Sequence, residues 1–438
     1  MSRAYDLVLT GGRAFTTAGL QEVDIAVSGG KIAALGSLAG LSAAERLEVA
    51  GLTILPGVID TQVDFEVPNS EDLATGSKAA VLGGVTAVFD LSRAAPATTA
   101  EAVAQRLAKA ENRARCDHAL FVAATADSLT SLAELESLPG VAGIALSLAA
   151  SDLWDDDAVL EALLRSGRRP LSLLAEDGPR LRARRPLAAG GVDRHPVWHD
   201  EESARLATER LLRLARTSGR RLHFQQVSTA GELPLLAANR DIATFELTPQ
   251  HLTLEAPACY RELGTLAQND PPIRDGHHRQ ALWAAIANGL ADLVGSAHAP
   301  VVKEAKDLPY PASAQGMPAV QTLLPLLLDH MSAGRLSLDR LVDLTSAGPA
   351  RVFGLAGKGR IAVGYDADFA LVDLDAHRRI QADWLASGSC WSPFEGRYVT
   401  GWPKMTFLRG RQVMRDGEVV GEPRGQALRF LDRPAGSV

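Results

Sequence analysis

Cysteine is scarce in this 438-residue sequence, and its few copies form no pattern. Cys116, Cys259 and Cys390 lie far apart, and none has the C-x-x-C spacing of a thiolate metal site. The sequence therefore lacks both a disulfide framework and a zinc knuckle, which favours a reducing compartment. No secretory signal peptide is recognisable near the first residues, so we expect a cytoplasmic protein.

Long apolar runs and an excess of basic charge are also missing. The apolar stretch at 323–328 is far shorter than a membrane span. The 45 basic and 52 acidic residues leave a net charge of -7, without the positive surface of a nucleic-acid binder. Phosphate-binding glycine loops and a G-x-S-x-G nucleophile elbow are absent as well. We therefore expect neither a membrane nor a nucleic-acid partner.

What the sequence does contain is a regular alternation of strands and helices. Eight short runs rich in aliphatic residues are each followed by a helical pattern, which predicts a parallel (β/α)8 barrel over 54–358. Short strands near both ends predict one composite β-sandwich, built from 1–53 and 359–438. The eight barrel strands are predicted at 54–60, 85–91, 119–125, 141–146, 170–175, 221–227, 242–248 and 292–296.

In a barrel of this kind, functional side chains lie at the carboxyl ends of the strands. The polar candidates near those ends are Gln62, Asp64, Glu66, Arg93, Gln226, His251, Asn269 and His298. Asp64 and Glu66 have oxygen atoms suited to a hard cation, but carboxylates are also common in solvated loops. Lone histidines such as His251 and His298 are more often hydrogen-bonded packing residues than metal ligands.

Two further groups of polar residues are interpreted as structural. His195 and His199 lie four residues apart, but Pro196 and Trp198 between them indicate a loop and not a helical metal clamp. The acidic pair that begins at Glu176 precedes several arginines and is typical of a solvated charged loop. We therefore assign no chemistry to either group on its own.

Ordered motifs extend along nearly the whole chain. They are PGVID at 56–60, GSKAAVLGGVTA at 76–87, AED at 175–177, VSTA at 227–230, LTPQHL at 247–252, PPIR at 271–274, HAP at 298–300, TSAGPAR at 345–351 and GRIAVGYDAD at 359–368. In this order they resemble the amidohydrolase superfamily, within it the cyclic amidases dihydroorotase, hydantoinase and allantoinase. Dihydroorotase is the best match. The resemblance implies a barrel with a composite β-sandwich and zinc-dependent hydrolysis of cyclic amides.

The positions that carry this chemistry in the family hold different residues in this chain. Gln62, Asp64 and Glu66 stand at the family's His-x-His-x-Arg motif, and Arg93 stands in its substrate loop. Ala145 stands at the metal-bridging lysine, and Leu174 and Gln226 stand at two ligand histidines. Ala297 stands at the general-base aspartate. Without metal ligands and a base, no hydroxide forms near neutral pH and no group moves its proton. The resemblance therefore leads us to expect no catalytic residue, no bound metal and no other cofactor.

These replacements favour a catalytically degenerate dihydroorotase homologue that serves as a non-catalytic assembly subunit in pyrimidine biosynthesis. The resemblance implies aspartate carbamoyltransferase or an active paralogue as partner, or further copies of this chain. Two alternatives remain. The first is an active cyclic amide hydrolase that uses carboxylates such as Asp64, Glu66 and Glu176. The second is a ligand-binding sensor for a neutral or cationic heterocycle.

Overall fold

The structure is a computed structural model that describes residues 5–38 and 40–431. Its strands are β1 Tyr5–Thr10, β2 Arg13–Thr16, β3 Gly19–Glu22, β4 Asp24–Ser28, β5 Lys31–Gly36, β6 Ala43–Glu48, β7 Thr53–Pro56, β8 Val58–Val63, β9 Val85–Asp90, β10 Asp117–Ala123, β11 Val141–Ser147, β12 Leu171–Leu174, β13 Leu222–Phe224, β14 Ala243–Leu247, β15 Leu293–Val294, β16 Phe369–Arg379, β17 Tyr398–Leu408, β18 Arg411–Arg415 and β19 Glu418–Val419.

Strands β8 to β15 form one parallel sheet in chain order. The sheet closes where β8 meets the chain that follows β15. There the backbone N–H of His298 donates to the carbonyl of Gln62 at 3.1 Å, and the N–H of Asp64 donates to the carbonyl of His298 at 2.8 Å. The predicted (β/α)8 barrel is confirmed.

Helices connect these strands and also follow the barrel. They are α1 Leu73–Leu82, α2 Ala100–Ala110, α3 Leu132–Glu136, α4 Asp157–Arg165, α5 Gly178–Arg184, α6 His195–Trp198, α7 Glu201–Ser218, α8 Glu232–Ala237, α9 Pro249–Thr253, α10 Ala258–Leu263, α11 Gly276–Ala287, α12 Lys303–Lys306, α13 Leu323–Ser332, α14 Leu338–Val342 and α15 Gly348–Phe353. Local signals set several of their ends. Asp200 caps α7 by accepting from the N–H of Ser203, and α7 ends at Gly219, whose φ of 71° suits glycine.

The barrel has two apolar layers because successive side chains of a strand point to opposite faces. One set of strand side chains, including Val63, Phe224 and Phe245, packs outward against the helices. The other set fills the amino-terminal half of the barrel interior, where Phe89 and Phe121 meet Phe353 of α15. The carboxyl-terminal half of the interior is therefore the part that remains for polar side chains.

The remaining strands form two sheets from both ends of the chain, as predicted. One sheet has the order β5-β4-β1-β6, and the other has the order β19-β18-β17-β16-β7-β2-β3. A shared core that includes Leu9, Ile25, Phe369 and Phe407 packs between them. The predicted sequence boundaries of the two units reach residues 1–4 and 432–438, which lie outside the described part, and they stay predictions.

The strand predicted at 54–60 is divided in the structure. Its first part, β7, pairs with β2 and β16 in the seven-stranded sheet, and the barrel strand β8 begins only at Val58. Gly57 lies between them, and a Cβ atom at this position would lie 2.1 Å from Oγ1 of Thr86. The close contact explains why glycine occupies the point where the chain passes from one sheet to the next.

Candidate functional site

The carboxyl ends of the barrel strands form a mouth lined by polar side chains. At the end of β8, Val63 and Phe65 pack in the outer layer. Gln62 and Asp64 alternate with them and therefore face the barrel interior. Both are buried, with exposed fractions of 0% and 4%. The mouth thus begins with one amide and one carboxylate.

Asp64 is occupied by a neighbouring arginine. Its Oδ1 accepts from the backbone N–H of Arg93 at 2.9 Å, and its Oδ2 accepts from Nε of Arg93 at 2.7 Å and lies 2.5 Å from Nη2. Arg93 also interacts electrostatically with Asp270 across the mouth. With two guanidinium nitrogens on Oδ2 and a backbone N–H on Oδ1, Asp64 is poorly placed to act as a free base or metal ligand.

Several amide side chains at the mouth have free hydrogen-bonding capacity. Among the described residues, neither side-chain amide atom of Gln62 has a hydrogen-bond partner, and the same holds for Nε2 of Gln225 and Oε1 of Gln250. Gln226 accepts a long bond of 3.4 Å from Nδ2 of Asn269. Buried polar groups are normally paired, so these atoms point to a ligand or to ordered water.

Small and apolar residues complete the mouth. Ala145 and Leu174 are half-buried near the ends of β11 and β12, and Ala297 is buried after β15. Ala297 has a φ of 50°, and the same left-handed conformation recurs at Ser92 after β9 and at Gln226 after β13. Such backbone conformations are costly for residues other than glycine and concentrate at functional sites.

Glu66 does not join this group. Its φ of 62° turns the chain away from the barrel axis, and its carboxylate contacts Lys109 of α2 and accepts from the N–H of Leu73 at 3.2 Å. It lines a separate cavity of about 640 Å³ beside α2, together with His118 and Leu120. The expectation that Glu66 faces a substrate at the barrel mouth is therefore wrong.

His251 and His298 are buried and fully engaged. His251 contacts Thr248 through Nδ1 at 2.8 Å and the carbonyl of Pro271 through Nε2 at 3.1 Å, and burial lowers its pKa to about 4. His298 contacts Glu71 through Nε2 at 2.6 Å, and its Nδ1 accepts from the N–H of Ala319 at 2.9 Å. With both ring nitrogens bonded, neither histidine is available at the mouth.

A group that the sequence interpretation set aside lies beside the mouth. His195 and His199 flank the single turn of α6, and they approach Asp270 so that one ligand atom of each lies within 4.8 Å of the others. Nδ1 of His199 lies 3.0 Å from Oδ1 of Asp270 and 3.1 Å from both carboxylate oxygens of Glu176. Glu176 is 6% exposed, so the prediction that it belongs to a solvated loop is wrong.

The two histidines of this group differ in charge. Burial, aided by the charge of His199, lowers the pKa of His195 to about 4. Burial also acts to lower the pKa of His199, but the carboxylates of Glu176 and Asp270 outweigh it and raise this pKa to about 10. Burial and repulsion from Asp270 raise the pKa of Glu176. Around neutral pH the group therefore contains one neutral and one charged imidazole.

Comparisons with known proteins agree with this architecture. The chain is 35% identical over 387 residues to a dihydroorotase of Halobacterium salinarum, covering 87% of this chain and 90% of that protein. It is 34% identical over 454 residues to an allantoinase of Solibacter usitatus, covering 97% of both. A model described as amidohydrolase family matches residues 236–413. The chain belongs to the amidohydrolase family.

Solved structures of the amidohydrolase family superpose closely on this chain. The L-hydantoinase (dihydropyrimidinase) of Arthrobacter aurescens has a TM-score of 0.91 at 28% identity, covering 97% of this chain and 99% of that one. The dihydropyrimidinase of Brevibacillus agri has a TM-score of 0.89 at 26% identity, covering 98% and 99%. These structures bear out the resemblance to cyclic amidases that the sequence motifs indicated.

The expectation that the chain takes no metal is contradicted. The residues at the positions that the resemblance assigns to metal ligands include no imidazole, and Asp64, the one carboxylate among them, is held by Arg93. His195, His199 and Asp270, however, form a group able to hold a metal ion, in a family for which the resemblance implies zinc. The i, i+4 spacing of His195 and His199 was the sequence signal that could have identified it.

The structure also bears on membranes. In the described ranges 5–38 and 40–431, no helix combines the length and the apolar character needed to cross a bilayer.

Proposed function

We propose that this chain binds a neutral cyclic amide at its barrel mouth without hydrolysing it, as a catalytically degenerate member of the family. The observation that carries the proposal is the buried, unpartnered carboxamide of Gln62. A cyclic amide presents an N–H and a C=O side by side on one edge of its ring. A glutamine side chain presents the complementary C=O and N–H, so the two can form a pair of hydrogen bonds.

The remainder of the mouth favours a neutral ligand. Arg93, which lines it, is already paired with Asp64 and is therefore not free to hold a substrate carboxylate. Gln225 and Gln250 add further unpartnered amide atoms. Ala145 and Leu174 supply small apolar surface against which a ring can pack. This combination is typical of a ligand pocket with few polar anchors.

Hydrolysis is disfavoured by the same residues. Opening an amide ring requires an activated water and a group that passes its proton to the leaving nitrogen. Ala297 offers only a methyl group at the family's base position, and Asp64 is neutralised by Arg93. The relatives named dihydroorotase and L-hydantoinase therefore indicate the class of ligand, and these side chains indicate that it is retained unchanged.

Calorimetric titration with hydantoin, dihydrouracil and dihydroorotate tests the proposal, together with turnover assays on the same protein with and without added zinc. We expect the two neutral rings to bind without ring opening and dihydroorotate to bind more weakly. Q62E keeps the size of the side chain but removes its N–H donor, so we expect at least about a tenfold loss of affinity. The exposed Gln381 supplies the matched control, Q381E, which should bind normally. Ring opening by the unmodified protein, or unchanged binding in Q62E, would overturn the proposal.

A further inference from the structure

The group beside the mouth is assembled from three separated parts of the chain. His195 and His199 lie one helical turn apart, so α6 presents both rings on the same side. Glu176 follows β12, and Asp270 lies in the loop before Pro271. His195, His199 and Glu176 are almost fully buried, whereas the side chain of Asp270 is 33% exposed and opens the group to solvent.

Some polar atoms of the group have no hydrogen-bond partner. Among the described residues, Nε2 of His199 is buried without a hydrogen-bond partner, and Oδ1 of Asp270 accepts no hydrogen bond despite its ion-pair contact with His199. An unpaired imidazole nitrogen in a buried position is costly unless something binds it.

We infer that His195, His199 and Asp270 hold a divalent transition-metal ion at a position different from the strand-end site of the family, with Glu176 as the second carboxylate beside it. Two imidazoles and a carboxylate are the donor set that zinc and its neighbours prefer, whereas calcium and magnesium favour oxygen atoms alone. This inference does not rest on the proposed binding of a cyclic amide.

The distances between the ligand atoms suit such an ion after a small adjustment. Ligand atoms around a tetrahedral zinc ion are about 3.3 Å apart, as follows from zinc–nitrogen bonds of about 2.0–2.1 Å. One ligand atom from each of the three residues lies within 4.8 Å of the other two. A shift of about 1–2 Å in the side chains closes the difference, which is within the range of a rotamer change.

A metal at this position joins two segments that border the mouth. Nε2 of His195 contacts the carbonyl of Asn269 at 2.9 Å, and its Nδ1 has a longer contact of 3.3 Å with the hydroxyl of Tyr310, which a metal bound at Nδ1 would replace. Lys306 holds the preceding carbonyl of Gln268 at 2.7 Å. The ion therefore ties α6 to the loop that carries Asn269. We expect the site to stabilise the protein and to fix the position of that loop, in addition to any influence on a ligand.

The test uses the full chain, stripped with a chelator and dialysed against zinc chloride or cobalt chloride. We expect about one equivalent of zinc by elemental analysis, a higher melting temperature with zinc, and the visible absorption of cobalt bound to a mixed nitrogen and oxygen ligand set. H199Q and D270N should each weaken zinc binding at least tenfold and remove the gain in melting temperature. H377Q changes an exposed histidine outside the group and should behave as the unmodified chain.

Two results would overturn the inference. The first is an unmodified chain that binds no zinc or cobalt after stripping and dialysis. The second is metal retained at full affinity in D270N, which would place the ion elsewhere, including at the strand ends. Because Asp270 is partly exposed, D270N keeps the test decisive even if H199Q does not fold.

Discussion

Removing one buried charge from the barrel is expected to stabilise this protein. Asp60 is 0% exposed, and burial, reinforced by repulsion from Glu246, raises its pKa from 3.8 to about 6 although Ser296 and Gln62 donate hydrogen bonds to it. In the acid range between these two values the folded chain binds the extra proton. The free energy of unfolding therefore falls as the pH rises from about 4 to about 6 and stays lower above that range.

D60N removes the free-energy cost of burying the ionised carboxylate while keeping the two backbone hydrogen bonds that it accepts. The side-chain oxygen of asparagine can still accept from the backbone N–H groups of Ser296 and Gln62, which lie 2.9 and 3.2 Å from Oδ1 in the structure. The other oxygen, Oδ2, has no partner among the described residues, so the amide nitrogen that replaces it breaks no hydrogen bond, but it adds a buried N–H donor that costs about 1–3 kcal/mol where it finds no acceptor. The pKa change corresponds to about 3 kcal/mol, so we expect a net gain of up to about 2 kcal/mol at pH 7.5.

Urea denaturation followed by circular dichroism at pH 7.5 and at pH 4 measures this effect. At pH 4 the gain should shrink to less than about 1 kcal/mol, because Asp60 is then largely protonated in the folded chain. D60A is the matched control, since it leaves both N–H groups without an acceptor and should destabilise the protein at either pH. An unstable D60N protein at pH 7.5, or a gain that does not depend on pH, would refute the reasoning.

Two further predictions concern buried groups around the mouth. Burial lowers the pKa of Lys306 from 10.5 to about 7, so the unfolded chain holds the extra proton between these values and stability rises with pH across that range. K306M should therefore raise the free energy of unfolding more at pH 6 than at pH 9, and the same urea assay should show a difference of about 2–3 kcal/mol between the two gains. A gain that is equal at both pH values would contradict this account. H298A should cost about 3 kcal/mol of unfolding free energy, because it leaves Glu71 and the N–H of Ala319 without their buried partner. E71Q, which keeps an acceptor for His298, should cost less, and equal losses in a urea titration would count against the pairing.

The barrel could be predicted because its signal is local and repeated. Each strand needs only a short aliphatic run, since helices cover its outer face and the barrel interior is packed on the other. The predicted strands at 85–91 and 141–146 accordingly match β9 and β11 within one residue at each end. The strand predicted at 54–60 was too long at its start, because its aliphatic residues serve two different sheets on either side of Gly57.

Side-chain direction at the mouth was harder to predict. Alternation along an extended strand correctly places Gln62 and Asp64 on one face, but it extends the same face to Glu66, where the backbone leaves the extended conformation. His195, His199 and Asp270 were missed for a different reason. The histidines are 71 or more residues from Asp270 in the sequence, and only the closed barrel brings their loops together.

The expected partners stay predictions, because aspartate carbamoyltransferase, an active paralogue and further copies of this chain all follow from the resemblance alone. The same holds for a cytoplasmic location. An assembly role and a ligand-binding role are compatible, since a subunit that retains a family ligand can report its concentration to a partner through the loops at the mouth.

The metal and the cyclic amide should influence each other's affinity, because Asn269 connects their two positions. Its carbonyl contacts His195, its side chain reaches Gln226 at 3.4 Å, and the next residue is Asp270. A metal that fixes this loop lowers the cost of ordering it around a ligand, so hydantoin should bind more tightly to the zinc-loaded protein than to the stripped protein. Couplings of this kind are typically about 5–150-fold, and the ligand must raise zinc affinity by the same factor. N269A should reduce the factor towards one while leaving zinc bound. Calorimetric titrations in both orders measure it, and equal hydantoin affinity with and without zinc in the unmodified chain would show that the loop does not couple the two positions.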